Sequence, residues 1–247
     1  MAKRIVYCAD GTWDGTQNLT NVYRLSKSLL QTFDQIVLYD DGVGASGAPI
    51  EQLLGGAFGT GLWQKIKDGY TRIAHVYEKD DEIFIFGFSR GAFTARSLAG
   101  MIAICGLPTA NFDDGLVEPA FHAYRERDMN HRQQLLAPLT KQYNLYDAPI
   151  TMVGVWDTVG SLGIPAVFGG VSPLLYGFLD TGLHSDVKNA FHAVSIDERR
   201  VEFPATLWTA KASATVMEQI YFSGVHCDVG GSYPERGLAD ITLGWMM

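Results

Sequence analysis

The stretch EIFIFGFSRGAFTARSLAG, residues 82–100, decides how the chain folds. Ile83 to Phe86 is apolar on both faces, the pattern of a strand buried on two sides in a parallel sheet. The run breaks at Gly87, and Gly91, Ala95 and Ala99 then recur every four positions. That spacing predicts a helix with one Gly/Ala face, able to lie close against a sheet. Between strand and helix stands Gly87-Phe88-Ser89-Arg90-Gly91, a G-x-S-x-G. Chance alone can produce this pentapeptide in a chain with 27 glycines, so its weight comes from its setting. A nucleophile elbow holds its Ser in a strained backbone conformation, and bulk at either flanking position would clash with the neighbouring strand or helix. The helix beyond supplies amide donors and a positive dipole end, both suited to an oxyanion. Ser89 is the candidate nucleophile.

Composition bounds the rest. The 247 residues are 47% hydrophobic and 19% charged, enough for one large α/β domain covering 1–247. A formal charge of −8 with no basic cluster argues against nucleic acid as a partner. No apolar run approaches a membrane span, and MAKRIVYCADG has too short an apolar stretch for a signal peptide, so a cytoplasmic location is expected. Cys8, Cys105 and Cys227 are too few and scattered for a disulfide framework or a zinc site. No cofactor is expected. The acidic residues near 10–14 and 40–41 read as solvated turn carboxylates rather than a cation site.

Outward from the central stretch, strands and helices alternate. Arg4 to Cys8 reads as a first strand, followed by the tight loop Asp10-Gly11-Thr12-Trp13-Asp14-Gly15. Thr20 caps a helix with apolar positions Val22, Leu25, Leu29 and Phe33, and Ile36 to Tyr39 forms a second strand. A glycine-rich stretch from Asp40 to Gly61 reads as surface loop. Leu62, Ile66, Tyr70, Ile73 and Tyr77 then trace one helix face. Residues 107–147 look like two surface helices joined by a polar turn. Strands follow at Ile150 to Trp156, Ala190 to Ile196 and Gln219 to Phe222, and a last helix starting at Leu238 stops abruptly at Met247. That ending suggests a trimmed longer protein, a natural terminus being the alternative. Thr158 to Leu179 carries no charge and reads as an apolar lid (segment 158–187) or as packed core. The alternation predicts an α/β class with a doubly wound, mostly parallel sheet and helices on both faces.

Three residues at predicted strand ends occur in the order Ser89, Asp157, His226, the order of an α/β-hydrolase triad. Ser89 would attack an acyl carbon, His226 would carry the proton, and Asp157 would hold the imidazole in the right tautomer. Asp197 also ends a strand and competes for the acid role. Arg90 N–H is one expected oxyanion donor, and Gly11 or Thr12 the other. Asp10 and Asp228 are expected to fix loops.

The segments CADGTWDGTQNLTNVYRL (8–25), FGFSRGAFTARSLAG (86–100), VGVWDTVGSLGIP (153–165), HAVSIDERRVEFPATLW (192–208) and FSGVHCDVGGSYPERGLADITLGWM (222–246) carry a resemblance over nearly the whole chain. The sequence resembles an α/β-hydrolase family that includes phospholipase effectors of bacterial type VI secretion. The resemblance implies Ser89, Asp157 and His226 as triad, hydrolysis of a small-molecule or lipid ester, transient membrane-surface contact and secretion by a non-classical route. Two other classes stand beside it. Cys8-Ala9-Asp10-Gly11-Thr12 is similar to the D-x-D-G-T of aspartate-nucleophile phosphatases, but Cys8 stands where their nucleophile must be. A hydrolase scaffold reused for binding is the non-catalytic alternative. The sequence leaves the oligomeric state open.

Overall fold

Two sets of apolar side chains, one on each face of a sheet, organise the protein. The computed structural model describes residues 2–11, 19–42, 57–109, 112–159, 182–201, 203–209, 211 and 215–247, with side chains of 57–60 left aside. In order come β1 (Arg4–Ala9), α1 (Asn21–Ser28), β2 (Gln35–Asp40), α2 (Ala57–Val76), β3 (Glu82–Phe88) and α3 (Arg90–Cys105). Next are β4 (Leu107–Pro108), α4 (Val117–Arg125), α5 (Met129–Tyr143) and β5 (Leu145–Tyr146). The chain continues through β6 (Ile150–Trp156), β7 (Val187–Ser195), β8 (Val216–Phe222), α6 (His226–Gly230) and α7 (Gly237–Met246). Six of these strands form one sheet in the order β2-β1-β3-β6-β7-β8, and each of its pairings is parallel. β4 and β5 make a separate antiparallel pair. The α/β class and the parallel sheet are as the alternation predicts.

Strand periodicity assigns the faces. Ile5, Tyr7 and Ala9 of β1 join Ile83 and Ile85 of β3 in a large core with α2, α3 and α4. Val6 and Cys8 point the other way, with Phe86, Phe88 and Trp156, into a smaller core closed by Val22 and Leu25 of α1 and Met246 of α7. Helices therefore cover both faces. The expected face of α2 holds: Leu62, Ile66, Tyr70, Ile73 and, just beyond the helix, Tyr77 are all buried.

Two expectations differ. The first helix stops at Ser28, and Phe33 is 88% exposed beyond it. Ser26 and Ser28 turn their hydroxyls onto the carbonyls of Tyr23 and Leu25, the local competition that makes Ser a poor residue for extending a helix. The helices of 107–147 are also less superficial than their charge suggests, since Ala120, Phe121 and Tyr124 of α4 belong to the large core. Of the expected lid 158–187, the stretch 160–181 lies outside the described residues, as do 12–18 and 43–56.

The strand order fixes where a site can form. From β1 the chain moves outward to β2, then returns through α2 to β3 on the other side of β1. Such a reversal opens a crevice at the carboxyl ends of the two strands, where open α/β sheets bind ligands. Asp10 and Ser89 leave the sheet at that place. Among the described residues, no helix is long and apolar enough to cross a membrane.

Candidate active site

Ser89 occupies the strained turn its motif demands, with φ 58° and ψ −123°. A Cβ at Gly87 would come within 2.4 Å of the Gly91 carbonyl oxygen, and one at Gly91 within 2.2 Å of the Ala9 carbonyl oxygen. Both glycines are therefore dictated by contact: the start of α3 presses on its own strand and on the end of β1. The Ser89 N–H donates to Trp156 O at 3.1 Å, which pins the turn to β6.

Ser89, His226 and Asp157 meet at the carboxyl edge. His226 Nε2 lies 2.8 Å from Ser89 Oγ, and its Nδ1 lies 2.6 Å from Asp157 Oδ2. With the carboxylate ionised, Nδ1–H donates to it and Nε2 accepts from the serine hydroxyl. All three side chains are nearly sealed from solvent, at 3%, 3% and 0% exposure for Ser89, His226 and Asp157. The imidazole sits between Phe88 and Phe203, whose ring centroids are 4.6 and 5.0 Å away. Its backbone N–H donates to Glu198 Oε2 at 3.2 Å.

The competing acid is elsewhere. Asp197 is exposed and accepts the Gly224 N–H at 2.8 Å, holding the turn that leads to His226. Asp10 and Asp228 secure loops as expected: Asp10 accepts from Gly11 N, Thr20 Oγ1 and Tyr39 OH, and Asp228 from Val225 N. Asp40 is taken up by Tyr7 OH and Lys65 Nζ. Gly11 differs from expectation. Its N–H is turned onto Asp10 Oδ1 at 2.8 Å, so that donor is engaged within its own loop. Thr12 lies outside the described residues, and Arg90 is the first residue of α3.

Several supporting residues escaped the sequence reading. Ser195, at the end of β7, donates its N–H to Asp157 Oδ1 at 2.9 Å and its hydroxyl to Oδ2 at 2.8 Å. With the bond from His226, these hold the carboxylate in one orientation. Glu198 is held down to a pKa of about 2 by its bonds to the Arg200 side chain, and it also accepts backbone N–H groups of Arg200 and His226. Asn21 spreads its Nδ2 over Val229 O, Ala239 O and Thr242 Oγ1, at 2.9 to 3.1 Å, and so ties α1 to the segment carrying His226.

His192 is buried beside this network. Its Nε2 accepts the Thr158 N–H at 3.1 Å, and its Nδ1 faces Gln219 Oε1 at 3.3 Å. Burial depresses its pKa from 6.5 to about 3, with the charge of Arg96 acting in the same sense. The unfolded chain binds a proton near pH 6.5, while the folded chain stays neutral until about pH 3. Stability contributed by the neutral imidazole is full above 6.5 and is lost as pH falls through that window. The melting temperature is expected to fall from about pH 6.5 to about pH 4, with a shallower slope in His192→Gln. An unchanged slope in that variant would reject this role for His192.

Comparison with known proteins agrees with the architecture. A crystal structure of an uncharacterized protein from Pseudomonas aeruginosa is similar, with TM-score 0.55 at 19% identity, covering 99% of this chain and 45% of that one. At that identity the likeness shows the fold alone. An uncharacterized protein of Saccharomyces cerevisiae, YEL023C, is 31% identical over 233 residues, which are 84% of this chain and 33% of that protein. The chain thus spans a third of the yeast relative and less than half of the bacterial one. The model of the type VI secretion phospholipase effector Tle1-like catalytic domain matches residues 3–247. Lipase- or phospholipase-like hydrolysis is the general chemistry of that group, and the chain belongs to the Tle1-like phospholipase effector catalytic domain family.

Proposed function

We propose that this protein is a serine hydrolase that cleaves carboxylic esters of lipid-like substrates through an acyl-enzyme, with residues 1–247 acting as one α/β-hydrolase domain. The reading is carried by one observation, the continuous hydrogen-bonded chain Ser89–His226–Asp157 at 2.8 and 2.6 Å. Membership in a phospholipase effector family supports the lipid ester as substrate class.

Each step assigns a job to a group of this chain. Ser89 Oγ attacks the ester carbonyl while His226 Nε2 takes its proton, and the imidazolium so formed is stabilised by Asp157. Oγ–C bond formation and loss of the alcohol, protonated by His226, leave an acyl-serine and a neutral imidazole. Water, deprotonated by the same nitrogen, then releases the carboxylic acid and restores Ser89. Charge on the carbonyl oxygen falls to the Arg90 N–H at the positive end of α3 and to a donor of the loop after β1. Thr12 is the candidate there, and Gly11 serves only by exchanging Asp10 Oδ1 for the oxyanion. The substrate is approached with transient contact at a membrane surface.

A fluorophosphonate probe tests the nucleophile. The adduct is expected on DDEIFIFGFSR, residues 80–90, whose sole hydroxyl is Ser89. An adduct mapped to any other peptide would move the nucleophile and sink the reading. A p-nitrophenyl ester series of rising acyl length, run beside phospholipid vesicles, tests the substrate class; turnover of short soluble esters alone would remove the lipid from it.

A further inference from the structure

A cavity of about 150 Å³ lies on the α3 face of the sheet, with no triad residue in its lining. Its walls include Arg96 and Ser97 of α3, Tyr124 of α4, Arg132 of α5, His184 before β7, and Trp208. Ser89 stands at the other end of the same helix: the eleven steps from residue 89 to residue 100, where Gly100 also borders the cavity, span roughly 16 Å at the α-helical rise. The lining holds two arginines and a histidine, and no carboxylate among the described residues. In a chain of net charge −8, that concentration of positive charge is against the average.

Both arginines are held in place by bonds to backbone carbonyls. Arg132 donates Nε and Nη2 to the Glu126 carbonyl oxygen, at 2.9 and 2.5 Å, which fixes the guanidinium plane without neutralising it. The Glu126 carboxylate itself faces His131 Nδ1 at 2.7 Å. Arg96 is only 7% exposed; its guanidinium is 4.6 Å from the Trp208 ring centroid and donates to the carbonyls of Thr206 and Leu207. His184 Nδ1 lies 3.4 Å from the Asp186 backbone nitrogen and 3.7 Å from Asp186 Oδ2, which together hold the ring at the cavity wall.

We infer that this cavity is a binding site for a phosphate group. Two guanidinium groups fixed by backbone carbonyls, an imidazole and the hydroxyls of Ser97 and Tyr124 surround the space with more positive and donor character than one carboxylate needs, whereas a phosphate presents several charged oxygens. The volume exceeds the room needed by a single water several-fold. A free phosphate and the head group of a phospholipid share this chemistry. The inference stands apart from the serine-hydrolase reading, because its readout is binding.

The test is calorimetric titration of the whole chain with inorganic phosphate, together with sedimentation on phosphatidylcholine vesicles with and without phosphatidic acid. Saturable phosphate binding is expected in the wild type and in Arg127→Gln, an exposed arginine outside the lining, and at least tenfold weaker binding in Arg132→Gln. Soluble phosphate as ligand gives this pattern in the calorimeter; a lipid-borne phosphate gives it only with the phosphatidic acid vesicles. Binding in neither assay, or binding equal in Arg132→Gln and wild type, overturns the site. A circular dichroism melt checks the fold of Arg132→Gln, and His184→Ala, at the cavity rim, repeats the measurement should that variant unfold.

Discussion

Asparagine in place of Asp157 is expected to lower kcat on a soluble ester about ten-thousandfold, and alanine in place of Ser89 on the order of a millionfold. The two losses have different causes. Without the Ser89 hydroxyl no acyl-enzyme forms. In the Asp157→Asn variant the geometry persists, because Ser195 N–H still finds an oxygen, but the amide presents N–H to His226 Nδ1. The ring then carries its proton on Nε2, the atom that must accept from Ser89. KM is expected to change little, since ground-state binding does not use that proton. Asp197→Asn is the matched control and is expected to keep kcat within about threefold, as its carboxylate holds the Gly224 amide and not the imidazole. Equal losses in the two aspartate variants would remove Asp157 from the acid role.

Alanine at Gly91 is expected to cost about 3–5 kcal/mol of folding free energy, read as a lowered urea midpoint at unchanged slope. The new Cβ would lie 2.2 Å from Ala9 O and 2.4 Å from Asp10 O, both backbone atoms of β1 and the loop that follows it. Backbone at a sheet edge cannot swing aside as a side chain can, so α3 must lift away from β1 and take Ser89 with it. Gly244 supplies the contrast. It lies within α7 with nothing inside 4 Å of its virtual Cβ, and Gly244→Ala is expected to stabilise by about 0.5–1 kcal/mol. Should Gly91→Ala behave like Gly244→Ala, the close packing of the turn is wrong.

The features legible in the sequence are those written locally. Apolar runs at 83–86 and 150–156 announced buried strands, four-residue spacing of small residues announced α3, and the loops at the strand ends announced where polar residues gather. The choice of acid was not so written, since Asp157 and Asp197 both end strands. Adjacency favours Asp157 in the proposed reading: β6 and β7 are parallel neighbours, so the residue after Trp156 stands beside Ser195, and Ser195 Oγ and N–H bond it there. Ser195 and Asn21 were invisible for the same reason, with partners 38 and more than 200 residues away. Arg96 was hidden inside a helix whose small residues drew the reading, although a charged residue on a sheet-facing helix is itself a signal. Phe33 shows the opposite failure, a helical period continuing past the point where two serines turn back on the backbone.

The sharing of one amide among three acceptors has a genetic consequence. Asn21 has two N–H groups for Val229 O, Ala239 O and Thr242 Oγ1, and the single Thr242 hydroxyl hydrogen is in turn shared between Val229 O at 2.6 Å and Ala239 O at 3.0 Å. Substitutions at 21 and 242 therefore remove overlapping bonds, and their free energies do not add. A change tolerated at one of these positions is therefore expected to depend on what already stands at the other, coupling α1 to α7.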